Sequence, residues 1–199
     1  MYRSARGFTL MELMIVIALA AMIMGLGVPA FRDFARNGRL TGAANEFLVT
    51  LVTARNEAVR RQTIVSVCPS DTPDSATATC DIGATAGYIA FIDEDALCDV
   101  ADSDDLVANF VVHGEVSSAG NASCISFGAN GFRRVITGQP ATAYALFCDE
   151  RGATAVPGTL NDTSFARGVE ILPTGRAAVS RVQTELASWA SATDPVSCP

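Results

Sequence analysis

One apolar stretch near the N-terminus constrains the fold of this chain more than any other feature. Between Phe8 and Val28, the only side chains that are neither apolar nor glycine are those of Thr9 and Glu12. A helix over these residues would be about 31 Å long, close to the thickness of the hydrocarbon core of a bilayer. We therefore predict a membrane-spanning helix over residues 8–28.

The carboxylate of Glu12 needs a partner inside such a helix. A charged residue at mid-membrane costs roughly 2.5 to 3.5 kcal/mol on the mildest scale, and less near an interface. The neighbouring side chains carry no positive charge. Cleavage between Gly7 and Phe8 would create an α-amine four residues before Glu12, on the same helical face. The sequence thus predicts a proteolytic step that supplies the partner.

A secretory signal peptide or an ordinary single-pass anchor could also contain a long apolar stretch. A signal peptide has an apolar region of about 7 to 15 residues and a small-residue cleavage site, whereas this stretch is longer and contains an acid. An ordinary anchor fits the length but leaves Glu12 unexplained. Because Arg3 and Arg6 precede the span, the positive-inside rule keeps the leader in the cytoplasm and the rest of the chain outside.

The N-terminal residues resemble the precursor signal of the type IV pilin family. The resemblance lies in a short basic leader that ends at Gly7 and in the sequence Phe8-Thr9-Leu10-Met11-Glu12-Leu13. It implies a leader over residues 1–7, cleavage by a prepilin peptidase between Gly7 and Phe8, and N-methylation of Phe8. It also implies that Glu12 pairs with a terminal amine, its own or the preceding subunit's, during filament assembly. Pro29 stands where such pilins have a helix-kinking proline.

The helix is predicted to continue as an amphipathic segment over residues 29–62. Apolar residues recur there at intervals of three and four, whereas arginines occupy the other faces. The apolar set comprises Phe31, Phe34, Phe47, Leu48, Leu51, Val52, Ala54, Ala58 and Val59. Two glycines predict a weak point over residues 37–42. We expect one long helix, kinked at Pro29, that packs one stripe against a globular domain.

Residues 63–199 are predicted to form a β-rich globular domain. Short runs typical of strands are separated by turn residues. They cover residues 63–68, 87–93, 106–112, 124–128, 142–148 and 166–173, with a weaker seventh at 176–181. Strands grouped after one helix indicate an α+β fold, with an antiparallel sheet or two packed sheets laid on the helix. Residues 182–189 fit a short helix or coil, and residues 188–199 are expected to form a loop.

Motifs in the globular domain resemble those of the GspH/FimT family of minor pilins and pseudopilins. They are Gly87-Tyr88-Ile89-Ala90-Phe91-Ile92-Asp93, Phe127 with Gly131, the sequence CDERG at 148–152, and ARGVEI at 166–171 closing on Thr174-Gly175-Arg176. The resemblance covers nearly the whole chain, and the order and spacing of the motifs support it. They are more similar to the type IV pilus members than to the secretion-system members.

This resemblance implies the type IV pilin-like fold and an assembly function without a cofactor. The implied partners are other pilins and minor pilins, the prepilin peptidase, the inner membrane and the pilus assembly platform. The chain would wait in the inner membrane with its C-terminal domain in the periplasm, and then enter the filament as part of a priming or tip complex. A pseudopilin of a type II secretion system shares these features and is the alternative.

All six cysteines lie beyond the apolar stretch, at Cys68, Cys80, Cys98, Cys124, Cys148 and Cys198. An even number on the outward side indicates disulfides formed in an oxidising compartment. Six cysteines allow fifteen connectivities, among which we favour Cys68–Cys80 as a local pair, with Cys148–Cys198 and Cys98–Cys124 completing the set. A metal site would need CxxC-type spacing or nearby histidines, and the sequence has neither, so we expect no metal.

DNA binding is a second functional hypothesis. Some family members in transformable bacteria bind DNA through a Gly-Arg-x-Arg motif, but here Gly175 and Arg176 are followed by Ala177 and Ala178. The remaining candidates for DNA contact, beside Arg176, are Arg181, Arg133 and Arg134, with additional charge from Arg151 and Arg167. The chain has a formal net charge of −7, and all its basic residues are arginines. Such an acidic chain is a poor general binder of nucleic acid.

An acidic run suggests a calcium site, because hard cations take several carboxylate oxygens. It comprises Asp93, Glu94, Asp95, Asp99, Asp102, Asp104 and Asp105. The run has neither EF-hand spacing nor a glycine, so a solvated loop between two strands is the favoured interpretation. Catalysis is the weakest hypothesis, since the chain lacks the common catalytic motifs and His113 is its only histidine. We expect the polar cluster of Asp149, Glu150 and Arg151 to be a turn with a local ion pair, since Gly152 follows immediately.

Overall fold

The structure of the protein is a computed structural model, which describes residues 7–81, 83, 86–98, 100, 106–135, 138–157 and 163–192. The chain divides into two compact units, Met1–Gly38 and Arg39–Pro199. Each unit is described by itself below.

The first unit is the apolar part of one long helix, α1, which spans Leu10–Arg61. The helix is long and apolar enough to cross a bilayer, with a mean hydropathy of 2.4 in its most apolar window. It continues without interruption through Pro29 and through residues 37–42, so the weak point predicted from the glycines is not seen. The kink at Pro29 stays a prediction.

In the second unit, the rest of α1 buries one narrow stripe. The buried side chains follow intervals of four and three residues, at Leu40, Ala44, Phe47, Leu51, Ala54 and Ala58. Val52 and Val59, which we predicted to belong to this stripe, are about half exposed. Each lies one residue beyond a buried position, and a rotation of about 100° per residue carries it out of the interface.

Nine strands form two antiparallel sheets in the part of this unit that the structure describes. They are β1 (Val65–Ser70), β2 (Gly87–Ile92), β3 (Leu106–Val111), β4 (Ser117–Gly120), β5 (Ile125–Phe127), β6 (Arg133–Arg134), β7 (Ala143–Cys148), β8 (Thr163–Ile171) and β9 (Ala177–Val182). The first sheet has the order β3-β2-β1-β5-β6 and the second the order β4-β7-β8-β9. In the first sheet, Val65 of β1 lies opposite Ile92 of β2 and Phe127 of β5. The fold is therefore the predicted α+β arrangement.

Aromatic side chains join the helix to both sheets. The rings of Phe47 on α1, Tyr88 and Phe110 in the first sheet, and Phe147 in the second approach one another with centroid separations from 4.5 to 6.4 Å. Burial raises the pKa of the Tyr88 hydroxyl to about 12, so this ring stays neutral within the core. The cluster forms the centre of the domain.

A second helix, α2 (Gln183–Ala192), packs on the other face of the second sheet. Leu186 is fully buried there against Leu146 and Ala166. The ring of Trp189 stacks on Tyr144 at a centroid distance of 4.7 Å. The expected loop over residues 188–199 is therefore wrong as far as Ala192, because these apolar contacts stabilise a helix that the sequence leaves ambiguous.

Candidate functional site

The start of α1 gathers the residues that we predicted for processing and assembly. The Thr9 hydroxyl oxygen accepts a hydrogen bond from the backbone N–H of Glu12 at 3.2 Å, and the Glu12 carboxylate accepts one from the backbone N–H of Thr9 at 3.4 Å. This reciprocal arrangement is a capping box, in which an N-cap residue and the residue three positions later satisfy each other's free N–H groups. Glu12 therefore has a structural role that was not predicted from the sequence, although the T-x-x-E spacing signals it.

The helix surface beyond this cap is apolar and exposed. Phe8 is 81% exposed, and the large apolar side chains that the structure describes between Leu10 and Phe34 are exposed as well. The large ones are Leu10, Met11, Leu13, Met14, Ile15, Val16, Ile17, Leu19, Met22, Ile23, Met24, Val28, Phe31 and Phe34. Such a surface is stable only in lipid or against other apolar helices.

The structure contains two of the disulfide pairs that we favoured. Cys68 is joined to Cys80, with their Cα atoms 5.5 Å apart, and Cys98 to Cys124, with their Cα atoms 6.2 Å apart. Cys198, the predicted partner of Cys148, lies outside the described residues. The first bond joins strand β1 to a residue of the loop that follows it, and the second joins the loop after β2 to the residue before β5, whereas the apolar helix has no cysteine.

The arginines proposed for DNA contact do not all reach the surface. Arg133 is only 6% exposed, lies in β6, and donates from Nη1 to the carbonyl oxygens of Pro140 and Ala141. Burial lowers its pKa. Arg167 is also buried and has a pKa of about 10, chiefly because of its burial. Contact of Arg133 or Arg167 with a phosphate is thus contradicted, whereas Arg134, Arg176 and Arg181 are exposed.

Arg167 instead ties α1 to the second sheet. Its Nε donates to Thr41 Oγ1 at 3.2 Å, and its Nη1 donates to the carbonyl oxygens of three consecutive residues in its own strand, 164–166. The strand is irregular at this point, since its pairing register with β9 shifts between Thr163 and Gly168. The guanidinium therefore satisfies carbonyl groups that the irregular strand leaves open.

The acidic run is not wholly the solvated loop that its charge predicts. Asp93 is fully buried and accepts a hydrogen bond from the Ser66 hydroxyl at 2.5 Å. Burial raises its pKa, and the neighbouring Asp95 contributes. Glu94 and Asp95 are exposed, whereas Asp99, Asp102, Asp104 and Asp105 lie outside the described residues. The described residues contain no group of three or more potential metal ligands.

The remaining polar candidates are His113, which lies beside a groove, and Asp149 and Arg151, which form an ion pair. His113 follows β3 and lines an open groove of about 380 Å³ beside α1, with Val49 and Phe110. Arg151 forms an ion pair with Asp149 at 2.6 Å, and its guanidinium carbon lies 4.3 Å from the centre of the Phe165 ring. This is the local ion pair that we predicted in the turn.

Comparisons with known proteins bear on both units. Residues 43–175 match the model of the family described as type II transport protein GspH, and residues 2–28 match the prokaryotic N-terminal methylation motif. The chain is similar to prepilin peptidase-dependent protein D of Escherichia coli, with 42% identity over 43 residues, 22% of this chain and 30% of that protein. It is similar to a fimbrial protein of Pseudomonas aeruginosa, with 32% identity over 72 residues, 35% of this chain and 46% of that protein.

The chain thus spans less than half the length of these curated relatives. Its fold is similar to the crystal structure of the type IV minor pilin FimU of Pseudomonas aeruginosa. That comparison has a TM-score of 0.52 at 18% identity and covers 83% of this chain and 99% of the other.

Proposed function

The chain belongs to the GspH family and is a subunit of the minor pilin or pseudopilin type, and on this premise we propose that it helps to build a type IV pilus. The subunit would be made as a precursor, cleaved between Gly7 and Phe8, and methylated on the new amine of Phe8. It is a structural subunit rather than an enzyme. Its apolar helix anchors it in a membrane before it enters a filament.

The observation that carries the proposal is the exposed apolar surface of α1, which has the acidic Glu12 in its first turn. The window of α1 that is apolar enough to span a bilayer has no buried residues. In the membrane, lipid covers this surface, and in a filament the corresponding helices of other subunits cover it. The two environments are similar in polarity, so transfer from one to the other has a small hydrophobic cost.

Glu12 would select the position of the incoming subunit. A carboxylate among apolar helices is unfavourable unless a cation lies beside it, and cleavage after Gly7 supplies the Phe8 amine. A buried pair of this kind adds little net stability, but a misplaced subunit leaves the charge unpaired at a cost of several kcal/mol. The pair therefore favours one axial register over its neighbours.

The fimbrial relatives favour the pilus over the alternative, which is a pseudopilus of a type II secretion system. One relative of this chain is named as a fimbrial protein. Before assembly, we place the subunit in the inner membrane with residues 29–199 in the periplasm, where disulfides form. We place the assembled subunit in a priming or tip complex with other minor pilins.

Deletion of the gene in the native host, with complementation by the full chain, tests this proposal. We expect the loss of surface pili while secretion of folded enzymes into the medium continues. Normal pili with defective secretion would assign the chain to a pseudopilus instead. Mass spectrometry of sheared filaments should find an N-terminal Phe8, and an intact Gly7–Phe8 bond in assembled material would contradict the processing step.

A further inference from the structure

A chain of polar contacts joins a buried carboxyl group to the disulfide Cys98–Cys124. The Ser66 hydroxyl oxygen lies 2.5 Å from Asp93 Oδ2 and 2.7 Å from the hydroxyl oxygen of Ser126. The Ser126 hydroxyl oxygen in turn lies 3.6 Å from Cys124 Sγ and 3.7 Å from Cys98 Sγ. We call Asp93, Ser66 and Ser126 the relay, because each member is within hydrogen-bond reach of the next.

Strand pairing brings the relay together. Ser66 of β1 lies directly opposite Ser126 of β5, so the two hydroxyls share one face of the first sheet. Asp93 directly follows β2, the other neighbour of β1, and its backbone N–H donates to the carbonyl oxygen of Ile64 at 3.0 Å. The three relay residues are between 0 and 2% exposed. Water is therefore kept away from the relay, and a proton can pass along it from one end to the other.

The two cysteines of this disulfide differ in exposure. Cys124 is 3% exposed, whereas Cys98 is partly exposed in the loop after β2. An external thiolate therefore attacks Cys98 Sγ, which forms a mixed disulfide and breaks the bond to Cys124 Sγ. Cys124 departs as a thiolate, and a thiol whose pKa is raised by apolar surroundings is a poor leaving group. A proton donor beside Cys124 would speed this step.

We propose that the relay supplies this proton and makes Cys98–Cys124 an exchangeable disulfide, which a small dithiol opens. As the bond breaks, Ser126 gives its proton to the Cys124 thiolate and takes one from Ser66, which takes the carboxyl proton of Asp93. The second thiol of the reductant then attacks the mixed disulfide and releases Cys98 as a thiolate, which takes a proton from water. The protein gains two electrons, and the dithiol loses two and leaves as a cyclic disulfide.

The surroundings of Asp93 favour the protonated carboxyl that the relay needs. Burial raises its pKa, and the neighbouring Asp95 adds to the rise. The strands that carry Ser66 and Ser126 contain no charged residue. A neutral carboxyl can donate its proton to the Ser66 hydroxyl, which reverses the hydrogen bond that the ionised carboxylate accepts.

Opening of this bond would release the loop after β2. Ala96 and Cys98 adopt φ of +63° and +64°, a region that residues other than glycine seldom occupy. The bond to Cys124 holds Cys98 in this conformation beside an exposed surface, where Leu97 is 70% exposed. Reduction would thus change the shape of an exposed loop while the bond Cys68–Cys80 continues to hold β1.

Reduction of the full, processed chain in detergent by dithiothreitol tests the proposal. Alkylation at intervals, followed by mass spectrometry of peptides, gives the rate at which each disulfide opens. In the wild type, the opening of Cys98–Cys124 should be first order in dithiothreitol. Asp93→Asn and Ser126→Ala should each slow it about tenfold or more, since general acids contribute at least this much. Glu94→Gln, which changes an exposed neighbour outside the relay, should open at the wild-type rate.

The disulfide Cys68–Cys80 is an internal control for stability. It lies on the same face of the sheet among Ala78, Ile89 and Phe91, and its rate of opening should be equal in all variants. Destabilisation of the domain would expose both disulfides and speed their reduction. Slower opening of Cys98–Cys124 alone therefore cannot come from partial unfolding, and it reports the loss of the proton donor.

The pH dependence separates proton donation from a structural role. After correction for the thiolate fraction of dithiothreitol, the wild-type rate should fall as pH rises and Asp93 loses its proton, whereas the rate of Asp93→Asn should stay constant. The proposal is overturned if Asp93→Asn or Ser126→Ala opens as fast as the wild type, or if the corrected wild-type rate does not fall with pH. A rate that does not depend on the concentration of dithiothreitol would also overturn it.

Discussion

Ser66 and Asp93 form a buried hydrogen bond of 2.5 Å on the face of the first sheet opposite to Val65 and Val67. The backbone N–H of Cys98 also donates to this carboxylate, at 3.4 Å, and the Ser66 hydroxyl lies 2.7 Å from that of Ser126. The carboxyl group of Asp93 thus fastens the loop that follows β2 to the sheet from inside the protein.

The raised pKa of Asp93 predicts a loss of stability as pH rises. Between the ordinary aspartate pKa and the raised native value, the folded chain binds more protons than the unfolded chain, so the free energy of unfolding falls with pH in this window. Asp93→Asn keeps the side-chain shape and does not titrate. As the pH rises above the ordinary aspartate pKa of about 4, the melting temperature of the wild type should fall relative to that of Asp93→Asn. Glu94→Gln, on an exposed neighbour, is the control, and an opposite trend would refute the prediction.

Gly168 is required for α2 to dock on the second sheet. A Cβ at this position would overlap Leu186 Cδ2 and Trp189 Cζ3. Gly168→Ala should therefore destabilise the domain by about 1 to 3 kcal/mol, the usual cost of overpacking. Because Trp189 is the only tryptophan, its fluorescence reports the docking directly. Gly42→Ala, with open space around the added methyl, should be neutral or stabilising, and equal behaviour of the two variants would contradict this account.

The charge of Glu12 can be separated from its capping role. Glu12→Gln retains an oxygen that can accept from the Thr9 N–H but removes the charge. If the ion pair positions the subunit, Glu12→Gln should be cleaved normally yet enter filaments about tenfold less well, which immunoblots of sheared filaments would measure. Thr9→Ala weakens the cap by about 1 kcal/mol and should have little effect on assembly. Normal incorporation of Glu12→Gln would show that capping suffices.

Phe47 should be the most sensitive position of α1. It is fully buried and contacts three other aromatic rings, so Phe47→Ala should cost about 3 to 5 kcal/mol. Val49, two residues further along, is 64% exposed, and Val49→Ala should change stability by no more than about 0.5 kcal/mol. Chemical denaturation followed by circular dichroism measures the free energy of unfolding of both variants. Similar losses of stability in Phe47→Ala and Val49→Ala would contradict the burial pattern.

The sequence predicted those elements whose pattern is local. The long helix follows from its apolar run, and six of the predicted strands coincide with β1, β2, β3, β5, β7 and β8 to within a few residues. The weak seventh run corresponds to β9. These segments have β-branched and aromatic residues between turn residues, so their signal does not depend on the rest of the fold.

The elements that were missed depend on distant contacts. The strand Ser117–Gly120 consists of small residues and exists because it pairs with Ala145–Cys148. The two residues of β6 pair with Ser126 and Phe127, and this pairing turns Arg133 inward. The burial of Asp93 likewise needs Ser66, 27 positions away. Composition correctly marks arginines and aspartates as polar, but their partners are specified only by tertiary structure.

The exposed start of α1 has a practical consequence for following this protein. Every basic side chain is an arginine, so the chain holds a single primary amine, which is the α-amine at its N-terminus. After removal of residues 1–7, the corresponding amine belongs to Phe8, and the proposed methylation converts it to a secondary amine that is still the one aliphatic amine of the chain. The side chain of Phe8 is exposed beside the capped turn. An amine-directed reagent therefore labels one nitrogen atom per molecule. The reactivity of that amine would fall when a neighbouring carboxylate stabilises its protonated form.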